Sequence, residues 1–304
     1  MKRILIGLFV MVVSEIGMLW KLEPFWSWHT PIAWTGYIVF VDGLVYARRG
    51  SSWLSDSPAQ FAFLAVVSFP LWLVFEFYNL FIRNWHYINL PESAFWRDVG
   101  YVWAFATIWP AIFETAELVA SFRARERNPA DAGSRTRPAD IGSHVGVARV
   151  GSSAEAARPL QKSRPLSASG IASVVAGAGM LAWPLVWPSR YLAAPVWLGF
   201  IFLLDPLNAC AGRPSLTADY GLGRLERATN LMAGGLVCGL VWECWNYWAR
   251  TKWVYTVPIL ERVKLFEMPL PGYFGFPAFA LECFTMYVTI RLILRRSHGR
   301  AIAL

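Results

Sequence analysis

Two stretches of this 304-residue chain carry the same reactive pattern. Residues 73–87 read LVFEFYNLFIRNWHY and residues 240–255 read LVWECWNYWARTKWVY; in each, a glutamate is followed three positions later by an asparagine. Helical spacing puts Glu76 with Asn79, and Glu243 with Asn246, on one helix face, so carboxylate and amide point at the same cavity or partner helix. An arginine follows each acid by seven residues, Arg83 or Arg250, and then come Trp85-x-Tyr87 or Trp253-x-Tyr255. An ionisable group in so apolar a setting faces a bundle interior or a wet cavity and is a functional hypothesis by default. A carboxylic acid kept protonated by its surroundings can give a proton to a substrate or carry one across a membrane. The competing reading is a polar clamp, in which the arginine folds back onto the glutamate while the amide satisfies backbone or a neighbouring helix.

Further acids recur in pairs: Asp42 with Asp205 and Glu114 with Glu282, besides the unpaired Glu15 and Glu117. No Lys or Arg sits in the middle of an apolar run to neutralise them. The expected catalytic set is therefore Glu76, Glu243, Glu114 and Glu282. Asn79, Asn246, Asp42, Asp205, Trp85, Trp253, Tyr87 and Tyr255 are the expected substrate contacts, and the Trp-x-Tyr pairs also read as an aromatic belt at the membrane interface.

Missing residue types narrow the chemistry. His29, His86, His144 and His298 fall outside the apolar runs, which argues against intramembrane haem and His-rich metal sites. P-loop, G-x-S-x-G and H-E-x-x-H patterns are absent. Neither a metal nor a cofactor is expected. Cys210, Cys238, Cys244 and Cys283 form no C-x-x-C and read as small buried apolar residues.

The elements that must position these residues are membrane helices. The chain is 56% hydrophobic and 16% charged, with mean hydropathy +0.40, which is the composition of a polytopic membrane protein. Eight runs can span: roughly 4–20, 31–47, 59–82, 98–121, 168–187, 190–211, 229–249 and 272–293. With the N-terminus inside, 20 of the 28 Lys and Arg fall on the cytoplasmic side, so both termini are expected in the cytoplasm of a plasma-membrane protein. Arg250, Lys252, Arg262 and Lys264 dissent, in a loop placed outside. The net charge of +8 then follows from topology and anionic lipid, and no nucleic-acid partner is expected.

The apolar runs are also written twice. Trp34, Gly36, Ile38 and Asp42 match Trp197, Gly199, Ile201 and Asp205 at one offset; Gly50 and Asp56 match Gly212 and Asp219. Leu73 through Pro91 match Leu240 through Pro258, and Gly17-Met18-Leu19 matches Gly179-Met180-Leu181. The expected fold is thus all-α: two parallel tandem four-helix repeats, 1–121 and 167–304, joined by a disordered basic linker over 122–166.

Trp242-Glu243 followed by Trp253-x-Tyr255, together with Leu90-Pro91-Glu92, resembles the small integral-membrane lycopene cyclase domains of carotenoid biosynthesis. Those domains pair two multi-helix units and carry an aromatic-acid stretch and a Pro-x-acid-acid motif. The sequence departs from that motif at Ser93, and Met268-Pro269-Leu270 has no acid. The resemblance implies proton-initiated cyclisation of a polyisoprenoid, with Glu76, Glu243 and Glu92 as candidate acids and no redox cofactor turning over. Three functions follow as expectations: an enzyme or binder for an isoprenoid-like membrane lipid, a proton- or cation-coupled carrier, and a non-catalytic structural membrane protein.

Overall fold

The computed structural model describes residues 1–127, 165–295 and 302. The described residues are all-α apart from two small ribbons. Helices α1 (Lys2–Leu19) and α2 (Phe25–Arg49) form a hairpin, followed by the short α3 (Trp53–Asp56), α4 (Pro58–Ile82), strand β1 (Trp85–Ile88), α5 (Ala94–Ala106) and α6 (Ile108–Arg127). After the described break come α7 (Ala168–Val186), α8 (Ala193–Cys210), the short α9 (Leu216–Gly221), α10 (Glu226–Trp248) and strand β2 (Lys252–Tyr255). A two-residue ribbon of β3 (Lys264–Leu265) and β4 (Met268–Pro269), a 3-10 turn over Leu270–Phe274 and α11 (Gly275–Ile293) complete it. The linker expected over 122–166 begins later than its composition implies, because α6 continues to Arg127; residues 128–164 lie outside the described residues.

Five of the helical segments are long and apolar enough to cross a membrane: Pro58–Ile82, Ala94–Arg123, Ala168–Val186, Ala193–Cys210 and Leu270–Ile293. The other expected spans do form helices, but α1 contains Lys2, Arg3 and Glu15, and α2 and α10 carry too many polar side chains to reach the same apolarity. Large apolar side chains such as Leu5, Phe9, Val66, Leu80 and Val175 are exposed on the helix surfaces, as a helical membrane protein requires of its lipid-facing sides. The run expected over 98–121 is interrupted at Thr107 between α5 and α6. Pro110 has no N–H for the Ala106 carbonyl, so the helix cannot pass through unbroken. Ser68 fills the break, bonding the Phe105 carbonyl and accepting from Trp109 N at 3.2 Å.

Backbone contact between helices sets the register. A Cβ on Gly7 would lie 2.5 Å from Gly36 O and one on Gly177 would lie 2.7 Å from Gly199 O, so α1 meets α2 as α7 meets α8. Small residues permit this approach. The matched place of Gly177 in the first hairpin is therefore Gly7. The expected match of Gly17 with Gly179 does not hold: Gly17 packs on Phe25, whereas nothing lies near Gly179. Gly and Ala recur along α7, so composition admits several registers there and only the crossing point selects one.

Acids near the chain-terminal end hold loops. Arg3 Nη1 donates to Asp42 Oδ2 at 2.6 Å, and Asp42 Oδ1 accepts Leu54 N at 2.9 Å. In the second half Asp205 accepts Leu216 N at 2.8 Å, Thr217 N at 2.7 Å and Thr217 Oγ1 at 2.6 Å. Each aspartate thus caps the short helix that follows. Arg49 pairs with Glu117 at 2.7 Å. No cation lies mid-run, as the sequence reads, but Arg3 and Arg49 reach Asp42 and Glu117 from the helix ends outside the apolar runs.

At the opposite end two of the four dissenting cations, Arg250 and Lys252, are engaged. Lys252 pairs with Glu267 at 2.5 Å and Arg250 approaches Glu23 at 3.5 Å. His29, expected outside the helices, is buried in the first turns of α2, with Nδ1 2.9 Å from Ser14 Oγ. His144 and His298 lie outside the described residues.

Candidate functional site

The site begins with an amide. Asn79 Nδ2 donates to Trp85 O at 2.8 Å, while its Oδ1 accepts Asn84 N at 2.8 Å and Trp85 N at 3.3 Å. Asn246 does the same for the other strand, with Nδ2 to Trp253 O at 2.8 Å and Trp253 N to Oδ1 at 3.0 Å. A side-chain amide that presents one donor and one acceptor to a strand's backbone acts as one more strand residue. Helix α4 stops at Arg83, whose φ of 49° reverses the chain, and Asn79 then draws β1 back across the helix end. Of the clamp anticipated from sequence, the amide half is present. The arginine half is not seen in the second stretch, where Arg250 turns to Glu23 and Ser27.

Strands β1 and β2, one from each half of the chain, pair antiparallel. Trp85 lies opposite Tyr255 and Tyr87 opposite Trp253. Matched residues thus exchange partners, which is the pattern a two-fold axis through the ribbon creates. The same exchange recurs deeper: Trp34 meets Trp242 with ring centroids 5.8 Å apart, and their counterparts Trp197 and Phe75 stack at 5.2 Å.

The ribbon turns its aromatics inward rather than toward lipid, which corrects the expected belt. Trp85 is 8% exposed. Tyr87 Oη donates to Glu76 Oε1 at 2.5 Å, and the same oxygen accepts Trp72 Nε1 at 2.8 Å and Trp85 Nε1 at 3.2 Å. Tyr255 Oη donates to Glu243 Oε1 at 2.8 Å while Trp253 Nε1 donates to Tyr255 Oη, also at 2.8 Å. Glu243 is fully buried and its Oε2 has no hydrogen-bond partner among the described residues. Burial first, and then the neighbouring carboxylate, push the Tyr87 and Tyr255 phenols well above the usual tyrosine range, so both keep their protons. The exposed aromatics that can serve as a belt are others, among them Trp20, Trp96, Trp187 and Tyr191.

Between the halves lies a cavity of about 440 Å³. Its wall takes matched residues from both sides, Trp34 and Trp197, Trp85 and Trp253, Tyr87 and Tyr255, with Trp72 and Trp242 between them. None of Glu76, Glu243, Glu114, Glu282, Asp42 and Asp205 is on that wall. The first two stand behind it, one hydroxyl away. Glu114 and Glu282 are buried in α6 and α11, Glu282 beside the Phe200 backbone of α8. Asp42 and Asp205 are held by the loops at the other end. Asn79 and Asn246 touch backbone instead of the cavity, because the strands consume their polar atoms. Leu90 and Pro91 do line the cavity, but Glu92 is exposed and off the wall.

Trp34, Trp72, Trp197 and Trp242 are the functional candidates that the sequence reading missed. Trp34 and Trp197 recur in the repeat, a signal that marked them as matched without showing that they face one another's half. No protein-family model, curated protein or solved structure matches the chain.

Proposed function

We propose that this chain is a plasma-membrane protein of about eight spans with both termini in the cytoplasm, built as two parallel four-helix repeats, and that it receives an isoprenoid-like lipid in the cavity between them. The observation that carries this reading is the wall itself: matched tryptophans and tyrosines from both halves enclose one apolar space of about 440 Å³, within the range of small-molecule sites. Duplicated Asp42 and Asp205 caps, duplicated glycine crossings and the exchanged pairs of the ribbon support the tandem arrangement.

The aromatic faces suit a ligand that develops positive charge, because the ring quadrupole attracts a cation and the surrounding site excludes water. Glu243, with one donor on Oε1 and a vacant Oε2, is the carboxyl that can hold a proton and exchange it with the cavity through Tyr255 Oη. The corresponding reaction adds a proton to one carbon of a double bond and returns a proton from another, so no redox cofactor turns over. Glu76, with three donors on one oxygen, holds Trp72, Trp85 and Tyr87 in the wall. A proton-coupled carrier is a weaker reading, because Asp42, Asp205 and Glu117 are engaged in holding loops and helix ends.

The test is mass spectrometry of apolar lipids from membranes of a host that supplies polyisoprenoid precursors. Wild type is compared with Glu243→Gln and Tyr255→Phe, each shown to fold by its thermal transition. A product made by the wild type and lost in both variants is expected. Identical lipid profiles in all three would remove the enzymatic reading.

A further inference from the structure

The cavity wall is not apolar throughout, and its polar part is asymmetric. Among the described residues three cationic side chains line it, Arg97, Lys252 and the exposed Arg190, and no Asp or Glu does. Lys252 is already neutralised by Glu267 at 2.5 Å. Arg97 has only a long contact, 3.8 Å to Asp98, a carboxylate that is 71% exposed and off the wall. An ion pair of that kind is screened and contributes little, so Arg97 brings a nearly unopposed positive charge to the cavity.

Beside it are donors without acceptors. Trp28 Nε1, Thr30 Oγ1 and Trp34 Nε1 are buried atoms on lining residues of α2, and none has a hydrogen-bond partner among the described residues. Trp34 is 3% exposed. Trp28 Nε1 lies 3.3 Å from the place a Cβ on Gly100 would take, one turn of α5 beyond Arg97, so the indole N–H and the guanidinium belong to one stretch of wall. An indole N–H donates only, and an unsatisfied buried donor is costly. Trp28 Nε1 and the Arg97 guanidinium therefore share a stretch of wall, with Thr30 Oγ1 two residues along α2, that an acceptor-rich, negatively charged group would fill. In the other half the residue matching Ser27 is Arg190 and that matching Trp28 is Tyr191, so this group of donors is not duplicated.

We infer that the ligand of the cavity is an amphiphile whose anionic head group is bound by Arg97, with Trp28 Nε1 and Thr30 Oγ1 as neutral donors, while its tail lies among the tryptophans. This rests on the proposed lipid-binding cavity and adds the chemistry of the head. It assigns the α2–α5 side as the entrance for the charged end and the ribbon side as the place of the tail.

Equilibrium binding of radiolabelled farnesyl phosphate and of farnesol to the full chain, in detergent micelles at equal mole fraction, tests it. Farnesyl phosphate is expected to bind roughly tenfold more tightly than farnesol, the scale of one charge-assisted contact. Arg97→Gln should erase most of that difference, its thermal transition showing that the variant folds. Trp28→Phe should weaken the phosphate alone by roughly threefold. Equal affinity for the two probes, or an Arg97→Gln variant that keeps the preference, would overturn the head-group assignment while leaving the lipid cavity standing. Binding of neither probe would overturn both. Displacement of farnesyl phosphate by inorganic phosphate at the same concentration would assign the donors to a soluble anion and overturn the amphiphile.

Discussion

Glu76 and Glu243 occupy matched positions, precede matched asparagines and face matched tyrosines, yet their surroundings differ. Three donors meet on Glu76 Oε1, whereas Glu243 Oε1 accepts from Tyr255, and Trp253 Nε1, also near that carboxyl, donates to the Tyr255 hydroxyl. One cause is in the ribbon, where Trp85 Nε1 donates to the carboxylate and Trp253 Nε1 donates to Tyr255 instead; the other lies four residues earlier. Trp72 stands one turn before Glu76 and reaches it with Nε1; the equivalent position before Glu243 is Gly239. Gly239 cannot be enlarged, because a Cβ there would lie 2.2 Å from the Phe276 ring. The second half has given that space to packing of α10 on α11, and its carboxyl has lost a donor. Helix packing has separated two matched acids into one held by three donors and one whose Oε2 has no partner among the described residues.

The most severe way to break this comparison is to remove what both sides share. Asn246→Leu deprives Trp253 of two backbone partners, and Asn79→Leu deprives Asn84 and Trp85 of theirs. Each should cost roughly 2–4 kcal/mol, since buried backbone groups are left unpaired. Thermal unfolding in detergent measures it, and an unchanged transition in either variant would show that the strands do not depend on the amides.

Charge removal should then separate the two acids. Glu76→Gln is expected to destabilise by about 1–3 kcal/mol, because its contacts fall from charge-assisted to neutral. Glu243→Gln should lie within about 1 kcal/mol of the wild type, having one donor to weaken. Equal losses would mean that donor number does not distinguish them.

Trp72→Phe sharpens the comparison by making the first half resemble the second. It removes one donor from Glu76 while keeping a ring in the cavity wall, and should cost about 1 kcal/mol. In that background the penalty of Glu76→Gln should shrink toward that of Glu243→Gln. A double-mutant cycle reads the difference as coupling, and zero coupling would reject Trp72 as a cause of the asymmetry.

The smallest effect is one of pH and is common to both halves. Tyr87 and Tyr255 have folded-state values raised above the unfolded value of about 10. Their contribution to stability is therefore complete below about pH 10 and declines as pH rises from there toward the folded values. Ultraviolet titration should show the same number of tyrosines ionising near pH 10 in the wild type and in a Tyr87→Phe, Tyr255→Phe double variant. Two fewer in the variant would mean that these phenols titrate normally.

Much of this arrangement was readable before any coordinates. The spacing of Glu76 with Asn79 and Glu243 with Asn246 is local, and a helix converts it directly into a shared face. Apolar length similarly specifies helices, although Pro110 and Ser68 together break one of them in a way that hydropathy does not register. Cation counts marked Arg250 and Lys252 as dissenting from the topology, and only folding brings their partners Glu23 and Glu267 near. The aromatic belt was assigned to the wrong residues for a related reason. Trp and Tyr are amphipathic, and sequence alone does not say whether their polar tips meet lipid headgroups or a carboxylate.

By itself, then, the sequence determined the helices, the apolar class of the chain, the repeated acid–amide pairs and the aromatic residues that accompany them, because each depends on neighbours within a few turns. Tertiary structure decided which way those aromatics face. The ribbon joins β1 to a strand from the other half of the chain, and that pairing folds Trp85, Tyr87, Trp253 and Tyr255 over the glutamates. The acids thereby moved behind the wall and the rings became its surface. That exchange depends on contacts between distant residues, where a glycine against Phe276 is one reason that two copies of one motif are unequal.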